Sequence, residues 1–212
     1  MKIEYVKPGD IERRSFEIIK SELDAKKISL HPENRDVIMR VIHATADFDF
    51  ASTLEFSPDA VKIASDLIAS GADIVSDTNM AKAGINKKVL ARFGGQLHCF
   101  MADDDVAAEA KERGLTRAAV SMERAAALEK KVIFAIGNAP TALISLDQMI
   151  KEGVYRPDFI IGVPVGFVNV EAAKELFLGG SIPYIINRGR KGGSTVAAAI
   201  CNAILYQMEA GR

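Results

Sequence analysis

The segment Arg188-Gly189-Arg190-Lys191-Gly192-Gly193-Ser194-Thr195 concentrates more potential chemistry than any other stretch of this chain. It places three cations within four residues, and its three glycines allow a backbone to approach a bound group closely. An apolar run precedes it and an Ala-rich stretch follows, so Ser194 or Thr195 can cap a helix whose free N–H groups and dipole favour an anion. A carboxylate or a phosphate suits that setting; a basic surface turn is the plain alternative. The spacing is neither G-x-x-x-x-G-K-[ST] nor G-x-G-x-x-G, so the common nucleotide-phosphate loops are absent.

Two further segments have the same strand-to-loop-to-helix character. In Ile136-Gly137-Asn138-Ala139-Pro140-Thr141, Asn138 either caps the next helix or binds a ligand, and Pro140 fits a first helical turn. Gly162–Asn169 is a long apolar connection that suits either the wall of a pocket for a large, flat ligand or a buried crossover. Of the three histidines, His31 reads as a solvated residue beside a helix start and His98 as a hydrogen-bonded strand histidine. His43 ends an apolar helix face, with Asp47 four residues on, where a carboxylate can approach an imidazole. It reads either as a satisfied core histidine or as an acid–base group working near neutral pH. Cys99, Cys201 and the histidines lack metal-ligand spacing, Asp103-Asp104-Asp105 reads as a helix start, and no nucleophile elbow is present.

These segments need a frame. Apolar runs at Ala72–Ser76, Gln96–Met101, Val132–Gly137, Phe159–Val165 and Pro183–Asn187 alternate with amphipathic stretches, and glycines punctuate them. The pattern predicts a three-layer α/β/α domain, with a mainly parallel sheet of about five strands and a helical N-terminal segment. Asp10 is expected to cap a first helix that buries Ile11, Ile18, Ile19 and Leu23. A second helix from near Pro32 should bury Val37, Ile38, Val41 and Ile42. Ser57-Pro58 should start a third that buries Val61, Ala64, Leu67 and Ile68 and stops at Gly71. In such sheets the loops beyond the carboxyl ends of the strands bind ligands, which selects Asp77-Thr78-Asn79, Ala102–Asp104 and the three segments above.

With 212 residues, 49% of them hydrophobic and 26% charged, the chain fits one globular domain over 1–212. A net charge of −1 argues against a general nucleic-acid binder. Two distant cysteines in apolar runs read as reduced thiols, and neither a signal segment nor a membrane span is legible, so a cytoplasmic protein is expected.

Taken together, Val41–Thr45, Asp77–Ala81, Leu115–Ala119, Ile136–Leu143, Gly162–Val168 and Arg188–Ser194 resemble the precorrin-8X and cobalt-precorrin-8 methylmutases, in order and over nearly the whole chain. The resemblance implies an isomerase of cobalamin biosynthesis that shifts a methyl group on ring C of a tetrapyrrole polycarboxylate, giving hydrogenobyrinate or its cobalt counterpart. It implies no cofactor and no metal ligand, with His43 as the acid. Ser15, Thr78, Arg117, Asn138, Arg188, Arg190, Lys191, Gly192 and Ser194 would bind substrate, the cations by charge-assisted hydrogen bonds to its carboxylates. Ala118 stands where some relatives have Ser. A homodimer with shared active sites is also implied, as is hand-off to the next corrin-pathway enzyme. A non-catalytic corrinoid carrier is the rival reading, and a nucleotide-dependent α/β enzyme is a weaker one. The resemblance covers enzymes of metal-free and of cobalt-loaded substrates alike.

Overall fold

The structure, a computed structural model, describes residues 3–210. Among these, six strands form one sheet: β1 (Leu54–Phe56), β2 (Asp73–Ser76), β3 (Leu97–His98), β4 (Val132–Ile136), β5 (Phe159–Gly162) and β6 (Tyr184–Asn187). The helices before β2 are α1 (Ile11–Ala25), α2 (Arg35–Thr45), α3 (Phe50–Thr53) and α4 (Ala60–Ala69). Between β2 and β4 come α5 (Asn79–Gly84), α6 (Lys87–Arg92), α7 (Asp104–Arg113) and α8 (Arg117–Ala126). Then follow α9 (Pro140–Lys151), α10 (Val170–Glu175) and α11 (Ser194–Ala210).

The sheet order is β1-β6-β5-β4-β2-β3, parallel throughout except that β1 runs antiparallel to β6. Every residue of β4 is buried, as the unbroken Val-Ile-Phe-Ala-Ile run requires of a strand covered on both faces. The period of two divides that strand between two cores. Ile133 and Ala135 join α1, α2, α4, α6 and α11 on one face, while Val132, Phe134 and Ile136 join α8, α9 and α10 on the other. The three-layer α/β/α architecture with a mainly parallel sheet therefore holds.

Several local expectations change. The sheet has six strands, because the three-residue β1 was too short and too mixed in character to read as a strand. β3 covers only Leu97–His98 of the expected Gln96–Met101, and β5 ends at Gly162, leaving Val163 onward as loop. Ser57 caps no helix: its backbone N–H donates to the Tyr184 carbonyl (3.0 Å) and its hydroxyl accepts from the Tyr184 N–H (2.9 Å), which extends the β1–β6 edge. Helix α4 begins instead after Asp59, which adopts left-handed φ of 56°. Its Ala64, Leu67 and Ile68 are buried as expected, whereas Val61 is only partly buried. Asp10 precedes α1 without a side-chain cap bond, and Ile11 and Ile18 are exposed while Ile19 and Leu23 are buried. Val37, Ile38, Val41 and Ile42 of α2 are buried as their spacing predicts.

Strand order reverses between β2 and β4: β2 leads outward to β3, and the chain then returns across β2 to β4, β5 and β6. The crevice at such a reversal, beyond the strand carboxyl ends, is where this class of sheet places ligands.

Candidate active site

Asp77, immediately after β2, closes that crevice. Its side chain is fully buried and accepts from three successive backbone N–H groups of the loop after β4, those of Gly137 (2.8 Å), Asn138 (2.8 Å) and Ala139 (2.5 Å). Burial pushes its carboxyl pKa upward, and the three amide hydrogens oppose that shift. The loop after β4 rests in turn on the start of α11, where a Cβ on Gly137 would lie 2.8 Å from the Ser194 Cα. Only glycine permits this approach.

The basic loop after β6 is locked from below. Asn187 is fully buried, and its amide donates to the carbonyls of Arg188 (3.0 Å) and Lys191 (2.8 Å) while accepting from the Thr53 hydroxyl (2.6 Å). Lys174 of α10 donates to the Gly189 (2.7 Å) and Lys191 (2.8 Å) carbonyls. Gly193 N–H donates to the Val163 carbonyl (2.9 Å), and a Cβ on Gly192 would sit 2.1 Å from that same oxygen. The loops after β2, β4, β5 and β6 thus form one packed rim.

All three loop cations carry carboxylate partners. Arg188 pairs with Glu55 (2.8 Å), Arg190 with Glu171 (2.9 Å), and Lys191 with both Asp47 and Asp49 (2.6 Å each). The lysine ammonium beside Asp47 holds that carboxyl below the usual range, and the two aspartates raise Lys191. Asp47 is therefore turned toward Lys191, because Ala46 takes a left-handed φ of 54° and ends α2 before the i,i+4 geometry can reach His43. The expected carboxylate–imidazole contact is absent.

His43, in the last turn of α2, is exposed, which removes the core-histidine reading. Its ring lies 5.3 Å from that of Phe16, and it makes no hydrogen bond among the described residues. It lines a cavity of about 350 Å³ with Arg40, Ala44, Met80, Ser194, Asn202 and Tyr206. Ser194, the first residue of α11, shares a 2.7 Å hydrogen bond with Thr78, whose hydroxyl also accepts from the Ala81 N–H at 3.0 Å. Arg40 and Tyr206 also border an adjoining hollow of about 530 Å³ that reaches Arg13, Phe16 and Arg35.

The fold accordingly gathers His43, Thr78, Ser194, Gly192 and Lys191 at one end of the sheet. Arg188 and Arg190 flank them on the same loop. Asn138 is exposed beside this group; its side chain caps nothing, and Ala139 takes the cap position of α9. Arg117 begins α8, tied to the start of α9 by the Thr116–Thr141 hydroxyl bond (3.0 Å), but no contact carries it to His43. The Ser15 hydroxyl donates to the Ile11 carbonyl within α1 (2.9 Å), while its neighbour Phe16 is the residue that meets His43. His31 is exposed, and His98 bonds Asp73 (2.8 Å). Both cysteines are free and buried, and no cluster of three His, Cys, Asp or Glu residues forms among the described residues.

Sequence reasoning missed Arg40, Lys174 and Asn187, and it singled out Asp77 only as part of a ligand-facing loop, without its bonds to the loop after β4. Arg40 stands three residues before His43 and shares its helix face, a spacing that signals proximity. Asp77 directly follows a strand, whereas Lys174 resembles any solvated helix lysine in sequence.

A family model described as precorrin-8X methylmutase matches residues 10–207. The cobalt-precorrin-8 methylmutase of Priestia megaterium is 43% identical over 97% of this chain and 91% of its own length. The precorrin-8X methylmutase of Pseudomonas aeruginosa is 38% identical over 98% of this chain and 100% of its own. The crystal structure of precorrin-8X methyl mutase from Thermus thermophilus superposes with a TM-score of 0.85 at 36% identity, covering 95% of this chain and 98% of that one.

Proposed function

The chain belongs to the precorrin-8X methylmutase family, isomerases of cobalamin synthesis, and from that premise we propose that it moves a methyl group on ring C of precorrin-8X or its cobalt counterpart, with His43 as the acid. The observation that carries this reading is the position of His43: an exposed imidazole on the wall shared with Ser194, beside the Lys191 loop.

In this reading the macrocycle lies across the His43 cavity and the adjoining hollow, and its carboxylate arms exchange with the protein carboxylates now held by Arg188, Arg190 and Lys191. Such an exchange costs little per pair, since exposed ion pairs are screened by solvent and contribute little to stability. Arginine forks and the backbone of Gly192 then hold the arms. His43 lends a proton to the conjugated system, and the methyl group's bond to one ring carbon breaks as its bond to the neighbour forms. Because substrate and product are isomers, the proton returns when conjugation is restored. Thr78 and Ser194 orient the substrate edge through their shared hydroxyl pair. A second copy of the chain supplies the missing outer wall, which fits the exposure of Met80, Phe167 and Val168.

The test is His43→Ala. The variant should fold and bind corrinoid while failing to convert precorrin-8X, followed by the absorbance change of product formation. Full turnover would reject His43 as the acid.

A further inference from the structure

We propose that Lys174 is a positioning residue for the substrate-binding loop, and that its charge makes corrinoid affinity fall as the solution turns alkaline. The inference rests on the functional reading above and deepens it.

Lys174 is 1% exposed, although Val-Glu-Ala-Ala-Lys-Glu reads as an ordinary surface helix. A buried ammonium ordinarily requires a carboxylate partner. This one has none among the described residues and instead donates to the Gly189 and Lys191 carbonyls at 2.7 and 2.8 Å. Those two residues bracket Arg190, so one buried charge fixes the backbone from which the loop cations project. Asn187 donates to the same Lys191 carbonyl at 2.8 Å, completing the cradle.

Burial lowers the Lys174 pKa to about 8, with Glu171 on its own helix opposing. Glu175 also lies on α10, and the loop above carries Arg188, Arg190 and Lys191. Helix α9, packed against α10, brings Asp147 and Lys151, which pair with each other at 2.7 Å. Below about pH 8 the ammonium makes two charge-assisted bonds and adds a positive charge under the anion loop. Above it, the neutral amine does neither well, and a polycarboxylate binds more weakly.

Stability moves the other way. The unfolded chain keeps this proton up to its usual pKa of about 10.5, whereas the folded chain releases it at about 8. Between those values the unfolded state binds more protons, so this group stabilises the fold as pH rises. Affinity loss without a fall in thermal stability separates loop positioning from simple unfolding.

The experiment titrates hydrogenobyrinate into the full chain at about pH 7 and about pH 9, with Tm recorded at each pH. Wild type should weaken about tenfold between them, the scale of one charge-assisted hydrogen bond, while Tm holds or rises. Lys174→Arg, which stays charged, should bind equally at both pH values, and Lys174→Met should bind weakly at both. A wild-type dissociation constant that does not change with pH overturns the proposal. So does a Tm that falls in step with affinity. Should Lys174→Met fail to fold, the wild-type and Arg curves decide. Absence of wild-type binding at about pH 7 would overturn the functional reading itself, and this proposal with it.

Discussion

Replacing Asn187 with Leu should destabilise the protein by about 1–3 kcal/mol, the cost of one orphaned polar group rather than three. The amide makes three hydrogen bonds, but two of its partners have substitutes. The Thr53 hydroxyl can donate to the Asp49 carbonyl at 3.0 Å, and the Lys191 carbonyl still accepts from Lys174 at 2.8 Å. Only the Arg188 carbonyl, bonded to that amide at 3.0 Å, is left without another side-chain donor. Urea unfolding at fixed pH measures the effect, and a hydrogenobyrinate titration of the same variant should show weakened binding. Combining Asn187→Leu with Lys174→Met strips the Lys191 carbonyl of both side-chain donors, so the pair should cost more than the sum of its parts by about 0.5–3 kcal/mol. A single-variant loss near 5 kcal/mol, or strict additivity in the double variant, would refute the shared-acceptor argument.

Replacing Arg188, Arg190 and Lys191 together with Ala should weaken corrinoid affinity far more than stability, because their present ion pairs are surface-exposed and screened by solvent; unchanged affinity in a titration would reject the anion loop. Gly192→Ala should lower Tm and impair binding, since its Cβ would lie 2.1 Å from the Val163 carbonyl oxygen, and overpacking of this kind costs about 1–3 kcal/mol. A variant with wild-type Tm would show that the two loops are free to separate.

The layers and the parallel strands were legible because apolar runs and glycine stops repeat with the periods that sheets and helices impose. β1 was not, since three residues with Glu at the centre carry no strand pattern, and its pairing with β6 is set by tertiary packing. The loops that form the rim were legible from their strand-to-helix setting. What binds them together was not. Asp77, Lys174 and Asn187 work through contacts 60, 17 and 134 residues away in sequence, and no local spacing encodes those. The i,i+4 pairing of His43 with Asp47 failed for a local reason, the left-handed turn at Ala46, which hands the carboxylate to Lys191.

The role of His43 is tested most directly by single-turnover conversion of metal-free precorrin-8X, with enzyme in excess and corrinoid bound, comparing wild type with His43→Ala. Loss of one positioned acid should slow the bound rearrangement by about 10²–10⁴-fold, with binding and Tm preserved. Conversion by the variant within a few-fold of the wild-type rate would contradict the assignment.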